Sequence, residues 1–151
     1  MKIRLLCVGA IRSVPLRALC EDYAGRLKRY VNLEVHECRQ AAGGQPQAVA
    51  EESARLRAAL DAGDHVWVLD QRGQQVTSPQ LAKRLQLLEN RSVKRLAILL
   101  GGAYGLSDDL RSSGEQMSLS PLTFPHELCR AIALEQLYRA YTILRGEPYH
   151  H

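Results

Sequence analysis

Apolar positions in this chain fall into short runs separated by stripes of helical spacing. Ile3–Val8 is mostly apolar and ends at Gly9, which predicts a first strand. Pro15 stands in a first helical turn, and Leu16, Cys20, Tyr23, Ala24, Leu27 and Tyr30 then keep helical spacing. Leu33-Glu34-Val35-His36 alternates and reads as a half-exposed strand with His36 outward. Gln40–Gln47 is a loop by composition. Ala48–Leu60 returns to helix, with Val49, Ser53, Leu56 and Leu60 on one side and Gly63 closing it. His65–Asp70 predicts a third strand that closes on a polar turn, Gln71-Arg72-Gly73. Ser78 then caps a helix with Pro79 in its first turn; Leu81, Leu85 and Leu88 face inward.

Arg95–Leu100 is a strand with an unbroken apolar run, the pattern of burial on both faces. It breaks on Gly101-Gly102; Gly105 follows, and Ser107 caps a short helix that opens with Asp108-Asp109. Met117–Ser120 alternates as a short strand. Pro121-Leu122-Thr123-Phe124-Pro125 is held extended, because each proline pushes its predecessor away from helix. The last helix runs from His126 to Leu144 with a wide apolar stripe, and Gly146 and Pro148 stop it. Five β-α steps with no repeat or linker predict one α/β domain over residues 1–151, a mostly parallel sheet flanked by helices.

A chain of 151 residues buries a sizeable core. A net charge of +4 permits an anionic partner without demanding one, since the basic residues are scattered. Arg17, Arg26, Lys28 and Arg29 lie outside the first helix's stripe, as a solvated face or an RNA-contacting one. One Trp, one Phe and six Tyr are too few for a single-strand stacking surface. Cys7, Cys20, Cys38 and Cys129 form no C-x-x-C pair, so they read as free thiols in a reducing compartment. No metal-ligand spacing occurs. No stretch reaches transmembrane length and the first apolar run is too short for a signal peptide, which gives no membrane association and a cytoplasmic location as the expectation.

In an open α/β sheet, ligands bind beyond the carboxyl ends of the strands. There the G-G-x-x-G turn lets backbone amides approach a ligand; a tight turn without ligand is the alternative. It is neither a dinucleotide fingerprint nor a Walker loop. Leu69-Asp70 and the rigid loop Ser120–Pro125 are expected to converge on it, offering backbone polar groups to a flat apolar ligand such as adenine. His126 stands in the first turn of the last helix, as a packing or capping residue or a second candidate for proton transfer. Arg130 and Arg139 lie off the apolar stripe, within helical reach of Glu127 and Glu135. Tyr149-His150, past a proline, either folds over the site or is a disordered end.

Taken together, LLGGAYGLSDD (99–109), MSLSPLTFPHELCR (117–130), EQLYRA (135–140), the tail EPYHH, the V-G-x-I first strand and VWVLD of the third resemble one family over nearly the whole chain. It is the ribosomal RNA large subunit methyltransferase H family, pseudouridine N3-methyltransferases of the SPOUT superfamily. The resemblance implies an α/β-knot fold in which the C-terminal portion threads a loop as a trefoil knot, an exception to ordinary chain topology. It implies S-adenosylmethionine as cofactor, contacted at Leu69, Gly102, Ser120, Pro121, Leu122, Thr123, Phe124 and Pro125. It implies a homodimer with the knot helix near its interface. The implied substrate is N3 of a pseudouridine in 23S rRNA of the large subunit, met on the assembled ribosome. The tail matches at Tyr149 and His150, and these with Arg139 are the expected catalytic group. Many members end in Arg or Lys; here the last residue is His151. Two other readings are a ribosome-associated RNA-binding protein without catalysis and a SPOUT methyltransferase acting on tRNA. An intact glycine turn and tail favour an enzyme over the first, and the absence of an appended RNA-binding domain speaks against the second.

Overall fold

All residues, 1–151, are described by a computed structural model. The elements are β1 (Lys2–Val8), α1 (Val14–Leu27), β2 (Asn32–Cys38), α2 (Gln47–Ala58), β3 (His65–Gln75), α3 (Ser78–Asn90), β4 (Arg95–Leu100), α4 (Asp108–Arg111), β5 (Glu115–Ser118) and α5 (His126–Leu144). The five strands form one sheet in the order β2-β1-β4-β3-β5, and every pair is parallel. β1 and β4 are central, which is why their residues are apolar at nearly every position.

Alternation along these strands feeds two cores. Ile3, Leu5, Cys7, Leu96, Ile98 and Leu100 point to one face and pack with α1, α3 and α5, through residues such as Cys20, Leu85 and Leu137. Leu6, Val8, Ala97 and Leu99 point to the other, under Leu56 of α2 and Leu110 of α4. α5 lies against both α1 and α3, so it is buried around much of its circumference.

The helix ends carry their expected chemistry, with shifts. Ser13 caps α1 by accepting the N–H of Leu16, and Pro15 lies in the first turn. Ser107 caps α4 through the N–H of Leu110. The cap of α3 is Thr77, not Ser78: Thr77 and Gln80 form a reciprocal capping box, which places Ser78 inside the helix. α2 ends at Ala58, and Gly63 serves the turn after it, at φ +85°. α1 stops at Leu27 rather than running on to Tyr30, and β5 lies two residues earlier than expected. The largest correction is β3. Its range runs on to Gln75: Leu69 and Gln74 both pair with Met117, so Asp70–Gly73 bulge out of the ladder where the polar turn was expected, and the strand then resumes with Gln75 opposite Ser118.

Candidate active site

A cavity of about 730 Å³ opens beyond the carboxyl end of β4, beside the register shift in β3. Its walls come from the middle of β3 at its register shift (Leu69–Arg72), the glycine turn (Gly101–Leu106), the loop after β5 (Leu119–Pro125) and the start of α5 (His126, Cys129), with Gln45 at one side. The three segments expected to converge do so. Leu69, Gly102, Ser120, Leu122, Thr123, Phe124 and Pro125 all line the cavity; Pro121 is exposed and outside the wall.

The glycine turn is shaped by close backbone contacts. Gly105 has φ +80° and donates its N–H to the carbonyl of Gly102 at 3.0 Å. A Cβ on Gly101 would stand 2.8 Å from the carbonyl carbon of Gly105, so the turn closes only without a side chain there. The facing loop is held by its own hydroxyls. Ser118 Oγ donates to the carbonyl of Ser120 at 2.8 Å, and Ser120 Oγ accepts the N–H of Leu122 at 3.0 Å. Thr123 Oγ1 donates to Gln71 Oε1 at 3.0 Å, tying the loop to the continuation of β3 that the sequence pattern hid.

Asp70 is the one carboxylate on the cavity wall. It accepts from the backbone N–H and Nε of Arg72, both at 2.9 Å, with Arg111 Nη1 4.0 Å away. The Arg72 guanidinium holds its carboxyl below the usual carboxylate range, against the opposing effect of burial. The remaining wall is largely apolar: Leu69, Leu100, Leu119, Leu122 and Phe124. Such a site suits a flat apolar ring fixed by a few backbone polar groups. The thiols offer no nucleophile. Cys7 is pushed up to about 12 by burial, and Cys129 is raised for the same reason.

The residues expected to act on substrate lie elsewhere in the chain. Tyr149 docks on the seam between α1 and α5: its ring meets Tyr138 edge-on at 4.8 Å, and its hydroxyl bonds to Tyr23 at 3.2 Å and Glu135 at 3.1 Å. Arg139 stacks over the Tyr149 ring at 4.6 Å and is paired with Glu135 at 2.6 Å, the helical-spacing pair expected for it. His150 is exposed beside them. None of Tyr149, His150 and Arg139 lines the cavity. His126 does line it.

Arg130 departs from its expected place off the stripe. It is 2% exposed, pairs with Glu37 and donates to the carbonyl of Gly9 at 2.7 Å, locking the start of α5 to the ends of β1 and β2. Its helical neighbour Glu127 instead accepts the N–H groups of Arg12 and Ser13, each at 3.1 Å.

A family profile described as "Predicted SPOUT methyltransferase" matches residues 1–150. The chain is 42% identical to the ribosomal RNA large subunit methyltransferase H of Gloeobacter violaceus, covering 100% of this chain and 99% of that one. It is 40% identical to the protein of that name from Geobacter sulfurreducens, with 100% of both chains covered. Among solved structures, a probable methyltransferase from Bordetella pertussis superposes with a TM-score of 0.57 at 18% identity, over 92% of this chain and 93% of that one. A probable methylase family protein from Haemophilus influenzae gives a TM-score of 0.55 at 12% identity, over 99% and 70%. At such identities the superpositions speak for the fold alone.

Proposed function

The chain belongs to the SPOUT methyltransferase family, and from that membership we propose that it methylates N3 of a pseudouridine in 23S rRNA, drawing the methyl group from S-adenosylmethionine. The relatives named as large-subunit rRNA methyltransferases match over the whole chain, which supports a large-subunit rRNA as the substrate; in this reading the rRNA is met on the assembled ribosome. The observation that carries the reading is the single cavity built from Leu69–Arg72, the glycine turn and Leu119–Pro125. Its apolar wall and loop amides suit an adenosyl group. Leu69, Gly102 and the loop Ser120–Pro125 would hold the cofactor, with Leu119–Pro125 as the segment that the family's trefoil knot brings to the glycine turn. Bound there, S-adenosylmethionine supplies a methyl group already activated by its sulfonium charge.

The chain's own task is to align the base with that methyl group and to take the N3 proton. Burial, with hydrogen bonds to Tyr23 and Glu135, pushes the Tyr149 phenol up, so it stays protonated and positions. His150 is exposed and next to it in sequence, and is the proton acceptor in this reading. Arg139, held by Glu135, faces the base or a phosphate. No helix is long and apolar enough to cross a membrane, and we place the enzyme in the cytoplasm as a homodimer.

The test is transfer of labelled methyl from S-adenosylmethionine to assembled ribosomes, separate large subunits, naked rRNA and tRNA, the rRNA-containing substrates each with and without pseudouridine. Label is expected only in pseudouridine-containing assembled ribosomes. Label in tRNA would replace the substrate. Cofactor binding with no label in any RNA would leave a binding protein.

A further inference from the structure

Two neighbouring side chains of α2 are buried against the back of the glycine turn, outside the cavity wall. Glu52 is 3% exposed and Ser53 4%. Ser53 Oγ accepts the N–H of Ser107 at 2.9 Å, where the turn passes into α4. Glu52 Oε1 accepts the N–H of Ala41 at 3.0 Å, in the loop that carries Gln45 to the cavity. Glu52 Oε2 has no hydrogen-bond partner. It occupies space that only a glycine leaves open: a Cβ on Gly102 would stand 2.5 Å from it and 3.1 Å from Val8 Cγ1.

A glutamate on a helix ordinarily turns its carboxylate to water. Burying one with an oxygen unpaired is unfavourable and needs a compensating role. Ser53 reaches only the downstream end of the turn, whereas the Glu52 carboxylate spans two cavity segments that are distant in sequence. Its length matters: one oxygen must reach Ala41 while the other stays against Gly102.

We propose that Glu52 is a positioning residue of the cofactor site, bracing Gly102 from behind and tying the glycine turn to the Gln45 loop so that both present fixed walls to the ligand. The proposal rests on the S-adenosylmethionine reading of the cavity. Glu52 acts through Gly102 and Ala41 and touches no reacting atom. Its loss therefore weakens cofactor binding and raises KM for the cofactor, while kcat at saturating cofactor stays near the parent's.

The experiment is calorimetric titration of the full-length chain with S-adenosylmethionine, beside thermal melting and amide hydrogen exchange. Glu52→Ala is expected to lower cofactor affinity roughly tenfold, with faster exchange at both Ala41–Gln45 and Gly102–Leu106. Glu52→Gln keeps the size and the Ala41 acceptor and is expected to bind nearly as the parent does. Glu52→Asp keeps the charge but is one methylene short, and is expected to bind weakly while remaining folded. A merely structural role would lower the melting temperature of the Ala and Asp variants and leave the affinity of their folded fraction at the parent's value; that result overturns the proposal. Should Glu52→Ala fail to fold, the contrast between Gln and Asp decides alone. If the parent itself binds no S-adenosylmethionine, the cofactor reading fails first, an outcome distinct from a parent and variants that all bind equally.

Discussion

Gly73 is the last residue of the bulge before β3 rejoins β5 at Gln74, and it leaves no room for a side chain beside the backbone of Met117. A Cβ there would stand 2.5 Å from the Met117 carbonyl carbon and 2.6 Å from its nitrogen. Neither is a flexible atom, so Gly73→Ala must push β5 off its partner. The expected loss is about 2 kcal/mol, read as a lower urea midpoint at unchanged slope. A second single-residue prediction concerns chemistry: His150→Ala should reduce turnover by roughly a hundredfold and leave cofactor affinity unchanged, since His150 is outside the cavity. Unchanged turnover would remove it from proton transfer. Gly73 also shows what the sequence conceals. Gln71-Arg72-Gly73 reads as a turn and does leave the ladder, but the return to strand at Gln74-Gln75 is hidden because those side chains are exposed and make no apolar pattern. Arg95–Leu100, buried nearly throughout, is legible to the residue at both ends. Arg130 and Glu52 fail in the opposite way. Charge argues for solvent, and the partners that justify burial, Glu37 and the Gly9 carbonyl for Arg130 and Ala41 for Glu52, are not adjacent on any helical or strand spacing.

At the level of elements, the two ends of the sheet do different work. The carboxyl end of β4 and the register shift in β3 border the cavity, while the amino ends of β1 and β4 are pinned by an ion cluster to the turn before β3. Asp64, with its side chain 1% exposed, accepts from Arg95 at 2.7 Å and from Arg4 at 3.1 Å, and also takes the N–H of Asp61 at 2.9 Å. Burial alone would raise its pKa; the hydrogen bonds from Arg95 and the Asp61 amide, with the charges of Arg4 and Arg95, outweigh that and bring it below the ordinary value. A depressed folded-state pKa means that the stabilisation is complete above the unfolded value, near pH 4, and is lost as pH falls through the folded value. Asp64→Asn should therefore cost on the order of 2 kcal/mol at pH 7, with Arg4 keeping Asp61 and Glu34 as partners. The gap between parent and variant should close as the pH is lowered below about 4. Denaturation curves from pH 7 to pH 2 check this, and a gap that stays constant would show that the charge is not what Asp64 contributes. These motifs at the carboxyl ends were readable because glycine, proline and hydroxyl residues are punctuation in any sequence. The ion cluster was not, because it draws on two separate strands and one turn.

For the whole molecule, the separation between cavity and tail sets the problem. Glu147 accepts from Tyr30 at 2.6 Å and Tyr149 is bonded to Tyr23 and Glu135, so the tail is anchored along the α1–α5 seam. The cavity of the same subunit has none of the tail's residues in its wall. If the proposed homodimer brings this seam to the partner's cavity, each reaction centre takes its cofactor walls from one subunit and Tyr149, His150 and Arg139 from the other. Two inactive variants test that arrangement. One ends after Gly146 and lacks the tail; the other is Gly102→Ala, whose added Cβ clashes with Glu52 and spoils the cofactor cavity. In a mixed dimer the intact cavity of the first variant receives the intact tail of the second, giving one whole centre. Random association of equal amounts makes half the dimers mixed, each with one working centre of two, so about a quarter of parental activity is expected after co-refolding. If each tail serves its own subunit, neither centre of the mixed dimer is whole and activity stays at the sum of the separate variants. Sedimentation at the assay concentration supplies the control, since mixing cannot restore activity in a monomer. Activity near a quarter therefore establishes both the dimer and the direction in which the tail is shared.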